Sequence, residues 1–429
     1  MKKVNGLRWW IMGLIAVVTV INYIDRTSLA VMWPDISKEL DLSREQYATI
    51  VSAFMIAYAV GQAISGKLFD WIGTRMGFVL SVVVWSLSCA FHGVARGILS
   101  FSFFRGMLGL SEAGNWPGGA KASAEWFPVS ERALANGIFN AGASLGAVIS
   151  APLIAILYGL FGWKATFVVI GALGFLWIIP WLYLHRAEPG QHPWITEEER
   201  QYIITGQKLG APVQEETRVP TWGEILTYKK SWSVIVGRFF LDPVWWLFVN
   251  WLPIYLHDQF KFDVKEIGYF AWVPYFGAAI GSIVGGWWSG HKIRQGWTVN
   301  KARKWAIVIG GMIMFPGFIM IAFSSSPLLA VIVMAIVLFG YQVTMNNILT
   351  LPSDYFSGKS VGSLAGLGGM SAVCGVLVFS TWLIPVLSAE SYVPVFLMGA
   401  SLVPIGVLAI HFFSGEIKRI ELRQSAHQD

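Results

Sequence analysis

Residues 8–35, RWWIMGLIAVVTVINYIDRTSLAVMWPD, hold no ionised side chain between their ends except the adjacent pair Asp25 and Arg26. About 20 apolar residues in a helix cross the roughly 30 Å of bilayer hydrocarbon, so the stretch predicts a membrane-spanning helix. Each ion placed there costs several kcal/mol, and such residues are retained for a pathway, a ligand or a proton. Asn22, Tyr23 and Arg26 share one helical face at i+3 and i+4 spacing. Asp25 projects about 100° round from Arg26.

The rest of the chain has the same character. Its 429 residues are 55% hydrophobic and only 13% charged, with a mean hydropathy of +0.58. That is too apolar and too weakly charged for a soluble protein of this length. Candidate spans recur near 8–33, 45–67, 76–95, 98–123, 133–160, 163–184, 232–256, 266–289, 304–324, 327–350, 361–386 and 391–414. Lys2, Lys3 and Arg8 precede the first apolar run as in a signal peptide, but the run is too long and lacks a small-residue cleavage site, so an uncleaved first helix is expected. With the N-terminus inside, 22 of the 31 Lys and Arg fall in the even loops and the two tails, against 6 outside and 3 within helices. The positive-inside rule then puts both termini in the cytoplasm. The formal charge of +6 follows from this topology and requires no nucleic-acid partner. Cys89 and Cys374 both fall in predicted helices, where isolated thiols pack as small hydrophobes.

One long polar stretch, 185–231, carries Pro189, Gly190, Pro193, Gly210, Pro212 and Pro220. It divides the chain into an N-terminal six-helix bundle (1–184), a cytoplasmic linker with short amphipathic helices (185–231), a C-terminal six-helix bundle (232–415) and a cytoplasmic tail (416–429). Within the linker, Thr196-Glu197-Glu198-Glu199 and Thr221-Trp222-Gly223-Glu224 both have the form of a capping box. Glycines at four-residue spacing, Gly277, Gly281 and Gly285 among them, let helices approach closely in lipid and also permit rocking.

The short loop after the second span reads Gly66-Lys67-Leu68-Phe69-Asp70-Trp71-Ile72-Gly73-Thr74-Arg75. An acid here can meet a neighbouring helix N-terminus and act as a latch. The pattern Gly66, Asp70, Gly73, Arg75 resembles motif A of the major facilitator superfamily, in its usual place. The corresponding second-half loop, Gly286-Trp287-Trp288-Ser289-Gly290-His291, has glycine where the aspartate is expected, which leaves a second latch in doubt.

Six ionisable residues lie well inside predicted helices: Asp25, Arg26, Arg105, Glu112, Arg238 and Asp242. Arg238 and Asp242 are spaced to neutralise each other on one helix. Glu112 has no cation within a turn, and Arg105 is about 10 Å away along the axis. Glu112 is therefore either a proton carrier or the fixed partner of an arginine from another helix. Asp25 either neutralises Arg26 or separates from it, leaving the guanidinium fork free for an anion. All seven histidines fall at helix ends, in loops or in the tail, so proton coupling would rest on carboxylates.

Further polar residues at membrane depth are Tyr58, Gln62, Asn115, Asn136, Asn140, Asn250, Tyr275, Gln342, Asn346, Asn347 and Ser371. With Trp245, Trp246 and Trp251 available for ring-face contact, the set suits a hydroxyl-rich sugar acid better than a bare inorganic anion. Each amide taken alone can equally be glue between helices.

Tyr23-Ile24-Asp25-Arg26, Glu112-Ala113-Gly114 and Glu125-Trp126-Phe127-Pro128 together resemble the anion:cation symporter branch of the same superfamily. Within it the likeness is to bacterial hexuronate transporters, through Lys121 to Pro128, Thr196 to Ile203, Arg238-Phe239-x-x-Asp242-Pro243-x-Trp245 and Gly369-Met370-Ser371-Ala372. The resemblance implies that Arg26 binds the substrate carboxylate beside Tyr23, that Asp25 and Glu112 carry protons, and that Tyr58 and Gln62 form the helix-two wall. Sister galactonate carriers have glutamine at the place of Ala143 and tryptophan near Met345, which weakens an aldonate assignment. An aspartate before Arg26 is, conversely, typical of aldonate and aldarate carriers.

The expectation is an all-α membrane protein with the major facilitator fold, twelve transmembrane helices in two six-helix bundles. It would import galacturonate or glucuronate with protons across a bacterial inner membrane, as a monomer and without cofactor or metal. Its substrate residues would be Arg26, Tyr23, Tyr58, Gln62, Asn140, Trp245, Asn250, Asn346 and Ser371. The alternatives are a proton-coupled carrier of an aldonate or aldarate such as galactonate or glucarate, or of another organic anion, and, remotely, a non-transporting sugar-acid sensor. No nucleophile, base and orienter occur together as an enzyme would need.

Overall fold

The computed structural model describes residues 3–207, 219–262, 266, 269–356, 358–388 and 390–420. Gly210, Pro212 and the tail beyond residue 420 lie outside them. Among the described residues there is no strand, only an isolated bridge between Val4 and Ile195.

The first half comprises α1 (Leu7–Leu40), α2 (Arg44–Phe91), α3 (Ile98–Glu112), α4 (Asn115–Trp126) and α5 (Arg132–Leu184). α2 and α5 contain 48 and 53 residues. As straight rods they would run about 70–80 Å, more than twice the hydrocarbon thickness. Each is broken by a glycine with left-handed φ, Gly73 at 80° and Gly162 at 71°, and so provides two spans. Two short linker helices follow, α6 (Glu197–Gln207) and α7 (Trp222–Thr227). The second half comprises α8 (Lys229–Phe260), α9 (Val273–Arg294), α10 (Val299–Ala322), α11 (Pro327–Ile348), α12 (Leu351–Tyr355), α13 (Val361–Val376), a π-helical turn at Leu377–Leu383, α14 (Ile384–Leu387) and α15 (Val393–Ser414).

Among the described residues eight helices are long and apolar enough to cross a membrane, and the two double rods raise their spans to ten. Twelve are reached by counting the broken α3–α4 rod and α9. α3 and α4 stop short because the rod is interrupted at Ala113 and Gly114. In α9, glycine and serine replace aliphatic residues where the helix lies against α5: a methyl on Gly286 would meet the Ala133 backbone.

The tails and the linker share one end of the bundle. Arg8 pairs with Glu131 at 2.9 Å and Glu199 at 2.8 Å, Tyr202 donates to Glu131, and the Ile420 N–H reaches the Tyr355 carbonyl at 2.7 Å. Thr221 and Glu224 form the expected reciprocal capping box. Thr196 caps the Glu199 N–H, but the Glu199 carboxylate does not return to Thr196. It accepts from the Leu7 and Arg8 amides and the Arg8 guanidinium, where the N-terminus of α1 and a full charge offer more than one local amide.

Candidate functional site

A cavity lies between the halves. The first half contributes Tyr23, Arg26, Tyr58, Gln62, Trp116, Asn140 and Ala143; the second contributes Arg238, Asp242, Trp245, Trp246, Tyr341, Gln342, Met345 and residues of α13 including Gly369 and Ala372.

Arg26 reaches this space from mid-α1, and its partner is Glu112. Nε and Nη2 each donate to Glu112 Oε2 at 3.2 Å, and Nη2 also to Asn22 Oδ1 at 3.3 Å. The guanidinium carbon stands 4.8 Å from the ring centre of Tyr58, 5.2 Å from Tyr23, 5.3 Å from Phe54 and 5.9 Å from Trp246 of the other half. Four ring faces thus enclose one cation. A single carboxylate holds its fork, and Glu112 Oε1 has no hydrogen-bond partner among the described residues.

Asp25 does not pair with Arg26. Consecutive helical residues point to different faces, so Asp25 turns back into the first half, fully buried beside Cys89 and within the field of Arg105 and Glu112. Neither of its oxygens has a hydrogen-bond partner among the described residues. Arg105 donates to the Arg26 backbone carbonyl and lies over the Phe54 ring at 5.1 Å.

Of the remaining expected substrate residues, Tyr23, Tyr58, Gln62, Asn140 and Trp245 line the cavity with Arg26. Three fall elsewhere. Asn346 accepts from Asn140 Nδ2 at 2.9 Å and donates to the Ser282 carbonyl at 2.7 Å, tying α5, α9 and α11 together. The Ser371 hydroxyl donates to the Ile235 carbonyl at 2.8 Å, and Asn250 is exposed and off the lining. Arg238 and Asp242 form the expected pair with two contacts, 3.2 and 3.0 Å, and the pair stands on the cavity wall.

The cavity is closed toward the end where the tails lie. Asp70 sits at the N-terminus of α13, accepting from the Gly362 and Ser363 amides and from Lys121 Nζ at 3.0 Å. Gly66 packs so tightly on the Gly362 backbone that an added methyl would overlap its carbonyl oxygen. Gly73 makes the turn, while Arg75 Nη2 reaches the Leu182 carbonyl at 3.4 Å. In the second half a methyl on Gly290 would likewise overlap the Ser130 carbonyl, so the seam leaves no room for an aspartate at that position. Its electrostatic place is taken by Asp354, 3.0 Å from Arg303 Nε and 3.8 Å from Arg132 of the other half. Arg303, wholly buried, also donates across the seam to the Val129 carbonyl at 2.9 Å. The sequence reading missed this cluster. Its residues lie at helix ends, where exposed charge is the ordinary expectation; the available signal was the missing aspartate in the second-half loop.

A profile of the Major Facilitator Superfamily matches residues 15–380. The hexuronate transporter of Escherichia coli (strain K12) is 33% identical over 433 residues, covering 100% of this chain and 99% of that protein. The galacturonate transporter of Dickeya chrysanthemi is 34% identical over 322 residues, covering 74% of this chain and 92% of that protein. Among solved structures, the proton:xylose symporter XylE bound to 6-bromo-6-deoxy-D-glucose matches with a TM-score of 0.71 at 14% identity, covering 95% of this chain and 96% of that one, a likeness of fold alone.

Proposed function

Because this chain belongs to the Major Facilitator Superfamily, and is therefore a multi-pass membrane transporter and not an enzyme, we propose that its cargo is a hexuronate of the galacturonate and glucuronate class, imported together with protons. The observation that carries the proposal is the Arg26 fork, enclosed by four rings at the cavity and held by one removable carboxylate. While Glu112 is charged it occupies the guanidinium. A proton delivered to Glu112 releases the fork, and the sugar carboxylate takes its place on the Nε and Nη2 donors, with two oxygens where Glu112 offers one. The rings of Tyr23, Tyr58, Trp245 and Trp246 then cover the apolar faces of the sugar, and Gln62, Asn140 and Gln342 offer amides to its hydroxyls. Asp25, fully buried behind Arg26 beside the Cys89 thiol and without a cation paired to it among the described residues, serves as a second proton site.

The two bundles, 1–184 and 232–415, rock about this site, and the Asp70 and Asp354 clusters latch the tail side while substrate enters from the other. The Lys and Arg distribution supports placing the tail side in the cytoplasm and the protein in the bacterial inner membrane. The cavity is built within one chain, which supports a monomeric unit. A second reading, an aldonate or aldarate as cargo, draws on the aspartate that immediately precedes Arg26 in the sequence.

Counterflow of radiolabelled galacturonate in proteoliposomes tests both, with glucuronate, galactonate and glucarate as competitors. Hexuronates should compete best, and Arg26→Ala should abolish exchange. Exchange driven only by aldonates or aldarates would give the case to the second reading, and full activity of Arg26→Ala would remove the anchor.

A further inference from the structure

Arg238 and Asp242 stand one turn apart on α8, buried, on the wall of the cavity that Arg26 enters. An ion pair serving only to hold helices has no need to face a substrate space. Asp242 fills the guanidinium in two places, Oδ2 to Nε at 3.2 Å and Oδ1 to Nη2 at 3.0 Å. The charged groups of the lining are thus Arg26, Arg238 and Asp242, one positive charge in excess, with Glu112 set behind Arg26 and off the lining. Tyr58 and Tyr341 line the same cavity. Once Arg26 is released, the site offers one free fork and one already occupied. A second carboxylate on the substrate would meet Asp242, a like charge in a poorly solvated space, and an Arg238 whose Nε–Nη2 edge and charge are already taken by that acid.

We propose that Asp242, by neutralising Arg238 through its Nε–Nη2 edge and placing a like charge on the cavity wall, restricts the site to sugar acids with a single carboxylate, and that Arg238 is a latent second anchor for dicarboxylic sugar acids. This rests on the sugar-acid reading above and names the determinant of substrate class within it.

The test is galacturonate counterflow in proteoliposomes with galactarate, its dicarboxylic counterpart, as competitor, on full-length wild type, Asp242→Asn and the double variant Arg238→Met/Asp242→Leu. In wild type, galactarate should need at least about tenfold more than galacturonate to halve exchange. In Asp242→Asn that ratio should fall at least tenfold, because the repelling charge is gone and a neutral amide oxygen holds Arg238 more weakly than a carboxylate, so a substrate carboxylate can displace it. The double variant, which removes both charges together, should return galactarate to weak competition. An unchanged ratio in Asp242→Asn overturns the proposal, including the case in which accumulation is lost at constant ratio, which would assign Asp242 to proton transfer. If Asp242→Asn is not monodisperse in detergent, the wild type decides alone: equal competition by galactarate and galacturonate refutes the role of Asp242 while leaving Arg26 as anchor. A wild type that exchanges no sugar acid refutes the underlying reading, and this inference with it.

Discussion

Replacing Gly66 by alanine should unlatch the tail side of the seam. The new methyl would stand 2.9 Å from the Gly362 carbonyl carbon and 3.0 Å from the Gly366 Cα, and would overlap the Gly362 oxygen. All three are backbone atoms of α13 and cannot swing aside. Carbon pairs settle near 3.5–4.0 Å, so α2 and α13 must part by roughly 0.5–1 Å. That displacement falls on the two amide bonds which Asp70 accepts from Gly362 and Ser363, one turn further along the same interface. Hydrogen bonds to a charged group contribute about 1.5–3 kcal/mol each, so the closed arrangement loses about 3–6 kcal/mol. At tenfold per 1.4 kcal/mol the closed-to-open ratio falls by about 10²–10⁴. Modification of a cysteine at Ser363, buried in the seam, reports this directly in a Cys374→Ser background, since Cys89 is buried. A membrane-impermeant maleimide applied from the tail side should label Gly66→Ala at least an order of magnitude faster than the parent. Equal labelling rates with unimpaired transport would show that the glycine contact does not hold the halves together.

Three further outcomes follow from the same geometry. Glu112→Gln keeps an acceptor for Arg26 but cannot exchange a proton, so galacturonate exchange should persist with weakened pH dependence while accumulation against a gradient falls well below wild type; fully preserved accumulation would end the role of Glu112 as carrier. Asp354→Asn leaves the fully buried Arg303 and the neighbouring Arg132 without their counter-ion, a loss of about 3–5 kcal/mol that should lower the thermal midpoint in detergent; an unchanged midpoint would mean the cluster is dispensable. At the linker, His185 Nε2 accepts from the Trp126 indole, and His192 accepts from the Trp194 amide while its other nitrogen meets the Leu184 carbonyl, arrangements that need neutral rings. Burial accordingly pulls both pKa values down from 6.5, that of His185 to about 4. A base with a depressed folded-state pKa stabilises above its ordinary value and loses that contribution as pH falls. Linker docking should therefore weaken between pH 6.5 and about 4, read as faster hydrogen exchange in residues 189–207 after correction for intrinsic rates; a pH-independent result, or the same slope in His185→Gln/His192→Gln, would contradict this.

The spans were legible because lipid leaves the backbone no other choice, and hydropathy reports depth directly. Depth is not direction, however, and the errors of placement are errors of azimuth and partner. Asn250, Asn346 and Ser371 all fall within long helices, yet one is exposed off the lining, one bridges three helices and one binds a neighbouring carbonyl. Asp25 was the nearest carboxylate to Arg26 along the chain, but the residue that reaches the guanidinium comes from 86 positions away, at the end of α3. No local spacing encodes that meeting. Only the packing of α1 beside the α3–α4 break brings Glu112 to the fork. The same holds for the second latch. A glycine at position 290 registers in sequence as a missing aspartate, whereas in the fold it marks the place where α9 must touch the Ser130 backbone. Charge excluded from that contact is supplied by Asp354, which reaches Arg303 on its own half and Arg132 across the seam. Position in the chain therefore identified which charges were too costly to be idle. Which of them face substrate, which face each other and which hold the halves shut is decided by the seam between two bundles, a surface that exists only once both have folded.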